Sequence, residues 1–183
     1  MRIKLLATTA AFALTLGTGA LAVTDPMVGG AAMFPTKNIV ENAVNSKDHT
    51  TLVAAVKAAG LVPTLESAGP FTVFAPTNQA FAALPAGTVD TLLKPENKGQ
   101  LTQVLTYHVV PGRYDKMALE NAIKTAPGGK VSLKTAEGEM LTVADASGSL
   151  WVTDQKGNTA RVTIADVYQS NGVIMVVDKV LMP

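Results

Sequence analysis

The sequence predicts an α+β fold, with helices first along the chain and strands later. Three observations carry this. Apolar residues recur at helical spacing between Thr51 and His108; beyond Arg113 the pattern becomes short alternating runs broken by glycines; and Val173 to Val177 is apolar at every position. Helices and strands that are segregated, not alternating, argue against a βαβ repeat. A strand with no polar position is one covered on both faces.

Taken in order, the chain starts with Arg2 and Lys4, a short apolar run from Leu5 to Leu16, and the small-residue site Ala20-Leu21-Ala22. This is the three-part layout of a secretory signal peptide over residues 1–22, with cleavage after Ala22. The run is too short for a bilayer, whose roughly 30 Å hydrocarbon core needs about 20 apolar residues. Residues 23–36, with Pro26 and Gly29-Gly30, read as a flexible leader. The remaining residues, 37–183, read as one domain.

A short helical face (Ile39, Val40, Ala43) opens that domain. A clearer helix over Thr51–Ala59 follows, with Leu52, Val56 and Ala59 on one side. Thr50 or Thr51 is expected to cap its start and Gly60 to close its end. Leu61–Ser67 adds a helical turn or two before Gly69-Pro70. Phe71–Ala75 reads as a buried strand ended by Pro76. Thr77 stands where the N-cap of the next helix belongs, with Phe81 and Leu84 on the apolar face. After a short helix over Thr88–Leu93, a longer one presents Leu101, Val104, Leu105 and His108 on one face and is expected to end at Pro111-Gly112. Lys130–Thr135, Met140–Ala144, Leu150–Asp154 and Arg161–Tyr168 read as antiparallel strands separated by glycine-bearing turns. Asn171-Gly172 is expected to form the turn of a terminal hairpin. That register sets Asp166 opposite Val177 and Ala165 opposite Asp178.

Bulk composition narrows function. Without residues 1–22, 13 basic residues face 14 acidic ones, and no basic block is present. Binding to a nucleic acid backbone therefore has no electrostatic support. There is no cysteine, which removes disulfides, a thiol nucleophile, thiolate metal ligation and lipid attachment through sulfur. The phosphate-loop, His-Glu-x-x-His and Gly-x-Ser-x-Gly patterns are absent. No cofactor is expected.

Few residues remain for chemistry. His108 lies on an apolar helical face with no matching nucleophile or ligand set. It reads as a core histidine that donates at one ring nitrogen and accepts at the other, since buried polar groups find partners. Tyr107, its neighbour, is expected to face a different side, toward the surface. His49, beside Asp48, reads as part of a solvated helix entry. Asp166 and Asp178 could form the carboxylate pair of a glycoside hydrolase. The competing explanation, that each accepts backbone hydrogen bonds or faces solvent, is preferred because an unpaired buried charge is costly.

Three segments resemble the fasciclin domain family: Phe71-Thr72-Val73-Phe74-Ala75-Pro76-Thr77-Asn78-Gln79-Ala80-Phe81, Leu105-Thr106-Tyr107-His108-Val109-Val110-Pro111-Gly112, and Asn171 to Leu181. The resemblance covers about Lys37 to Pro183. It implies a seven-stranded antiparallel β-sandwich or wedge with several short helices packed at one end. It also implies a tyrosine-histidine pair that is structural and contributes to adhesion in some members, and it makes Asp166-Val167 a weak match to an integrin-recognition pattern of animal relatives. Two departures stand out. Asn78 and Gln79 are neutral where the family usually carries an acid, and Met175 stands where relatives often place a second histidine.

The expectation is a non-enzymatic, secreted adhesion or binding module, periplasmic or extracellular. Its partner would be a protein or polysaccharide of matrix or cell envelope, met through Tyr107, His108, Asp166 and Asn171. The alternative is a periplasmic sensor or ligand-binding accessory subunit, which requires a concave apolar pocket with converging polar groups.

Overall fold

Alternation along its strands gives this chain two apolar cores, one on each face of the same central strands. The computed structural model describes residues 25–183; the signal peptide expected over residues 1–22 lies outside them. The elements are β1 (Met27–Val28), β2 (Ala31–Ala32), α1 (Ile39–Ala43), α2 (Thr50–Ala59), α3 (Val62–Glu66), β3 (Phe71–Pro76), α4 (Asn78–Ala82), α5 (Thr88–Leu92), α6 (Lys98–Tyr107), β4 (Val109–Pro111), α7 (Lys116–Thr125), β5 (Lys130–Lys134), β6 (Met140–Ala146), β7 (Ser149–Thr153), β8 (Thr159–Gln169) and β9 (Gly172–Val177).

Seven strands form one sheet in the order β4-β3-β9-β8-β7-β6-β5. All pairs are antiparallel except β3 with β9, which run parallel. The sheet curls until its ends approach, where the Ala136 N–H donates to the Val109 carbonyl at 2.7 Å. It is thus nearly a barrel, in an α+β fold.

Strand β9 is buried at all six positions, and the sequence pattern explains how. Val173, Met175 and Val177 face the interior of the curl with Phe74, Val110, Leu141, Val143 and Val152. Ile174 and Val176 face the opposite side, where Val73, Ala75 and Val109 meet helices α1, α2 and α6. Met175 is fully buried, an adaptable filler as expected of a flexible thioether.

Several elements match their sequence signals. Thr77 caps α4 by accepting from the Ala80 N–H, and Gly60 closes α2 in the left-handed conformation. Others differ. Residues 27–33, assigned from sequence to a flexible leader, form the β1–β2 hairpin, with Val28 and Met33 buried against α1 and α2. The helix expected to run to Pro111 stops at Tyr107, because β3 offers Val109–Pro111 a strand partner. Helix α7 adds an element between Arg113 and Lys130, where the sequence signals mark no helix. Asp115 caps it by accepting from the Ala118 N–H, and Leu119 and Ile123, one turn apart, insert into the curl.

The terminal hairpin also turns elsewhere. Gln169 pairs with Gly172, so Ser170 and Asn171 form the turn; the turn moves by one residue and each cross-strand partner by two. A bulge between Ile164 and Val167 shifts the register again. Gly172 is needed for space, not for a left-handed backbone: a Cβ there would collide with the Phe71 carbonyl oxygen.

Candidate functional site

The junction between α6 and β4 places two adjacent side chains in two different cores. Tyr107 points into the curl and is fully buried. Its hydroxyl donates to the Met140 carbonyl at 3.1 Å and accepts from the Gln155 N–H at 3.2 Å. Burial pushes the phenol pKa up. The expectation that Tyr107 faces another side than His108 holds, but that side is not the surface. The curled sheet covers what an isolated helix end would expose.

His108 points the other way, with 2 % of its surface exposed. Its Nδ1 lies 2.7 Å from the Val104 carbonyl and its Nε2 accepts from the Leu181 N–H at 3.0 Å. A carbonyl only accepts and an N–H only donates, so the ring is the neutral form with its proton on Nδ1. Burial drives its pKa down to about 4, with the Val104 carbonyl and Asp154 acting weakly in the opposite sense. Both nitrogens are engaged, which leaves neither for a substrate.

Asn171 is buried in the hairpin turn. Its side-chain oxygen accepts from Ile39 N–H at 3.1 Å, and its amide donates to the carbonyls of Leu65 at 2.7 Å and Ser67 at 2.9 Å. One side chain thereby joins α1 and α3 to the hairpin. Like Tyr107 and His108 it is not on the surface, so none of these three offers a contact to a partner in this conformation.

Asp166 is half-buried in the β8 bulge, with φ of 58°. Its Oδ1 accepts from the Lys116 N–H at 2.7 Å, at the start of α7, where a helix end attracts negative charge. Asp178 is exposed and accepts from the Arg161 N–H at 2.8 Å. The two carboxylates serve different elements and are not arranged as an acid pair. Among the described residues no cluster of three or more His, Asp or Glu side chains is placed to hold a metal ion.

Around Asp166 the structure gathers an exposed corner that residue-by-residue reading missed. The Arg113 guanidinium sits 4.9 Å from the centre of the Tyr168 ring, and Tyr168 is 37 % exposed. Met117, 69 % exposed, follows Lys116 at the start of α7. The signal was available in part: along β8, Val167 points inward, so Tyr168 must point out.

His49 also departs from expectation. It is 3 % exposed, not solvated, because the β1–β2 hairpin covers it: the Lys47 N–H donates to the Gly29 carbonyl. Its Nδ1 lies 2.9 Å from the Ser46 hydroxyl. Burial lowers its pKa, with a hydrogen bond to the Ala75 backbone and the charge of Asp48 acting in the other direction. His49 and His108 both line an apolar cavity of about 60 Å³ between α1, α2, the β1–β2 hairpin and the outer face of β3 and β9.

The family model described as Fasciclin domain matches residues 47–183. The chain belongs to the fasciclin domain family. It is 48 % identical to Protein sll1483 of Synechocystis sp. over 177 residues, covering 94 % of this chain and 91 % of that one. It is 40 % identical to the Immunogenic protein MPB70 of Mycobacterium bovis over 147 residues, covering 77 % of this chain and 66 % of that one. Its fold matches that of a FAS1 domain pair from the insect cell adhesion molecule Fasciclin I, with a TM-score of 0.71 at 17 % identity, over 80 % of this chain and 51 % of the other. Among the described residues no helix of this chain is long and apolar enough to cross a membrane.

Proposed function

We propose that this fasciclin domain is exported and works by binding, not by catalysis, as an adhesion module for a protein or polysaccharide of matrix or cell envelope. The observation that carries the reading is the Arg113–Tyr168 stack beside Asp166. Arginine and tyrosine, with tryptophan, are the side chains enriched among those that dominate protein contacts, and an aromatic ring beside charged groups also suits a sugar. The histidine and carboxylates that could have supported catalysis are committed to backbone hydrogen bonds.

The test is binding of the chain lacking residues 1–22 to immobilised envelope fractions of its producer and to matrix preparations. Saturable binding that falls about tenfold in Arg113→Ala and Tyr168→Ala, with unfolding transitions unchanged, supports the reading. Absence of saturable binding to every such surface, or binding indifferent to both substitutions, refutes it.

A further inference from the structure

The Arg113 guanidinium lies over the Tyr168 ring, 4.9 Å from its centre, within the roughly 6 Å of a cation–π contact. Stacking uses the π face and leaves the N–H donors, which lie in the guanidinium plane, without a partner. Among the described residues Arg113 makes no ion pair and its side chain no hydrogen bond, whereas Arg161 donates to the Ser149 hydroxyl at 3.3 Å. The ring beneath is itself held: the Tyr168 hydroxyl is hydrogen-bonded to the Asp115 side chain, whose Oδ1 also caps α7. The other cation of the corner is already matched, since Lys116 Nζ lies 3.5 Å from Glu120 Oε1.

An acceptor stands beside this donor. Asp166 precedes Tyr168 by two residues on β8, and its Oδ1 is taken by the Lys116 N–H. Its Oδ2 makes no hydrogen bond among the described residues and is not one of the buried unpartnered atoms, so it is open to solvent. The corner thus offers a fork of donors for one carboxylate, a carboxylate oxygen that accepts from hydroxyls, and the exposed side chains of Tyr168 and Met117 for C–H groups. A uronate ring carries all three complements: one carboxylate, adjacent hydroxyls that donate, and a C–H face. The side chain of an acidic peptide brings the carboxylate without the donors that would offset Asp115, Asp166 and Glu120. A neutral sugar leaves the guanidinium unmatched. Taking the corner as the contact surface proposed above, we infer that its partner is an acidic polysaccharide, with a uronate carboxylate on Arg113 and a sugar hydroxyl on Asp166 Oδ2.

The probes are trimers of galacturonate and of mannuronate, which differ in hydroxyl orientation, the methyl ester of each, and a peptide of three glutamates. Titration into the isotopically labelled chain lacking residues 1–22, followed by NMR, should give saturable shifts at the Arg113 guanidinium and the Tyr168 ring with at least one uronate trimer. Esterification, which removes the charge and keeps the ring, should weaken that binding about tenfold. Arg113→Lys, which keeps the charge and loses the fork, should weaken it as well. Saturable binding by neither uronate trimer overturns the inference. If Arg113→Ala and Tyr168→Ala still reduce binding to envelope or matrix surfaces, the corner remains the contact and only the class of partner is wrong. An ester that binds as tightly as the free acid overturns carboxylate recognition. A glutamate peptide that binds as tightly as the uronates overturns the sugar in favour of an acidic protein segment. Binding that leaves Arg113 and Tyr168 unshifted overturns the location.

Discussion

His108 Nε2 accepts a hydrogen bond from the Leu181 N–H at 3.0 Å, so the end of α6 is tied to the last residues of the chain. The bond exists only while the ring is neutral. Folding lowers the His108 pKa from 6.5 to about 4, and the unfolded state therefore binds more protons between these values. Stability is fully present above pH 6.5 and falls as pH drops toward 4, by an amount on the order of 3 kcal/mol. Denaturant unfolding at pH 7, 5.5 and 4 measures this, and His108→Gln should reduce the dependence, leaving the part in the same direction that buried His49 contributes. An unchanged midpoint between pH 7 and 4 contradicts the assignment.

Asn171 holds three backbone groups from two other elements. Asn171→Ala leaves the Ile39 N–H and the Leu65 and Ser67 carbonyls without this partner in a largely buried setting. A loss of about 2–4 kcal/mol follows from typical costs of unsatisfied buried groups. The unfolding midpoint should fall with the denaturant slope unchanged. Asn171→Asp should also destabilise, since it replaces a donor to two carbonyls with an acceptor.

At Gly172 the expected defect is steric. A Cβ there meets the Phe71 carbonyl oxygen, whereas at Gly157 nothing lies within 4 Å. Gly172→Ala must push β9 from β3 at the parallel pairing and should cost about 1–3 kcal/mol or more. Gly157→Ala, at φ of 85°, carries only its backbone strain of about 1–2 kcal/mol. Thermal unfolding of the two variants should rank Gly172→Ala as the less stable.

The two tyrosines should separate architecture from contact. Tyr107→Ala empties a site with no exposed surface and should cost about 3–5 kcal/mol, as large-to-small aromatic substitutions in cores do. Tyr168→Ala removes an exposed ring and should change stability by no more than about 0.5 kcal/mol. Any binding lost in Tyr107→Ala is then ascribed to unfolding, which circular dichroism would reveal, and any lost in Tyr168→Ala to contact.

Asn78 illustrates where local reading stops. In sequence it is a neutral residue in the first turn of α4. In the structure its side-chain oxygen accepts from the Thr51 N–H at 3.0 Å and the Thr50 hydroxyl at 3.2 Å, and its amide donates to the Lys47 carbonyl. It thus caps α2 from another helix, in place of the threonine cap expected there. An asparagine supplies both the acceptor and the donor that this junction uses, whereas a carboxylate would supply only the acceptor.

Local signals in the sequence determined that the last third of the chain is built of strands, that β9 is covered on both faces, that Thr77 starts a helix and Gly60 ends one, and that His108 is a core residue with both nitrogens engaged. Each follows from groups close together in the chain: a side-chain period, a cap, a left-handed glycine, or the rule that buried polar atoms need partners. Tertiary structure decided the rest, because the deciding group lies far away in sequence. Curling of the sheet buried Tyr107, the backbone of β3 demanded Gly172 and set the hairpin turn at Ser170 and Asn171, and the N-terminal hairpin enclosed His49. A polar side chain reveals its type in sequence; which backbone group or cavity it meets is known only once distant strands and helices have closed around it.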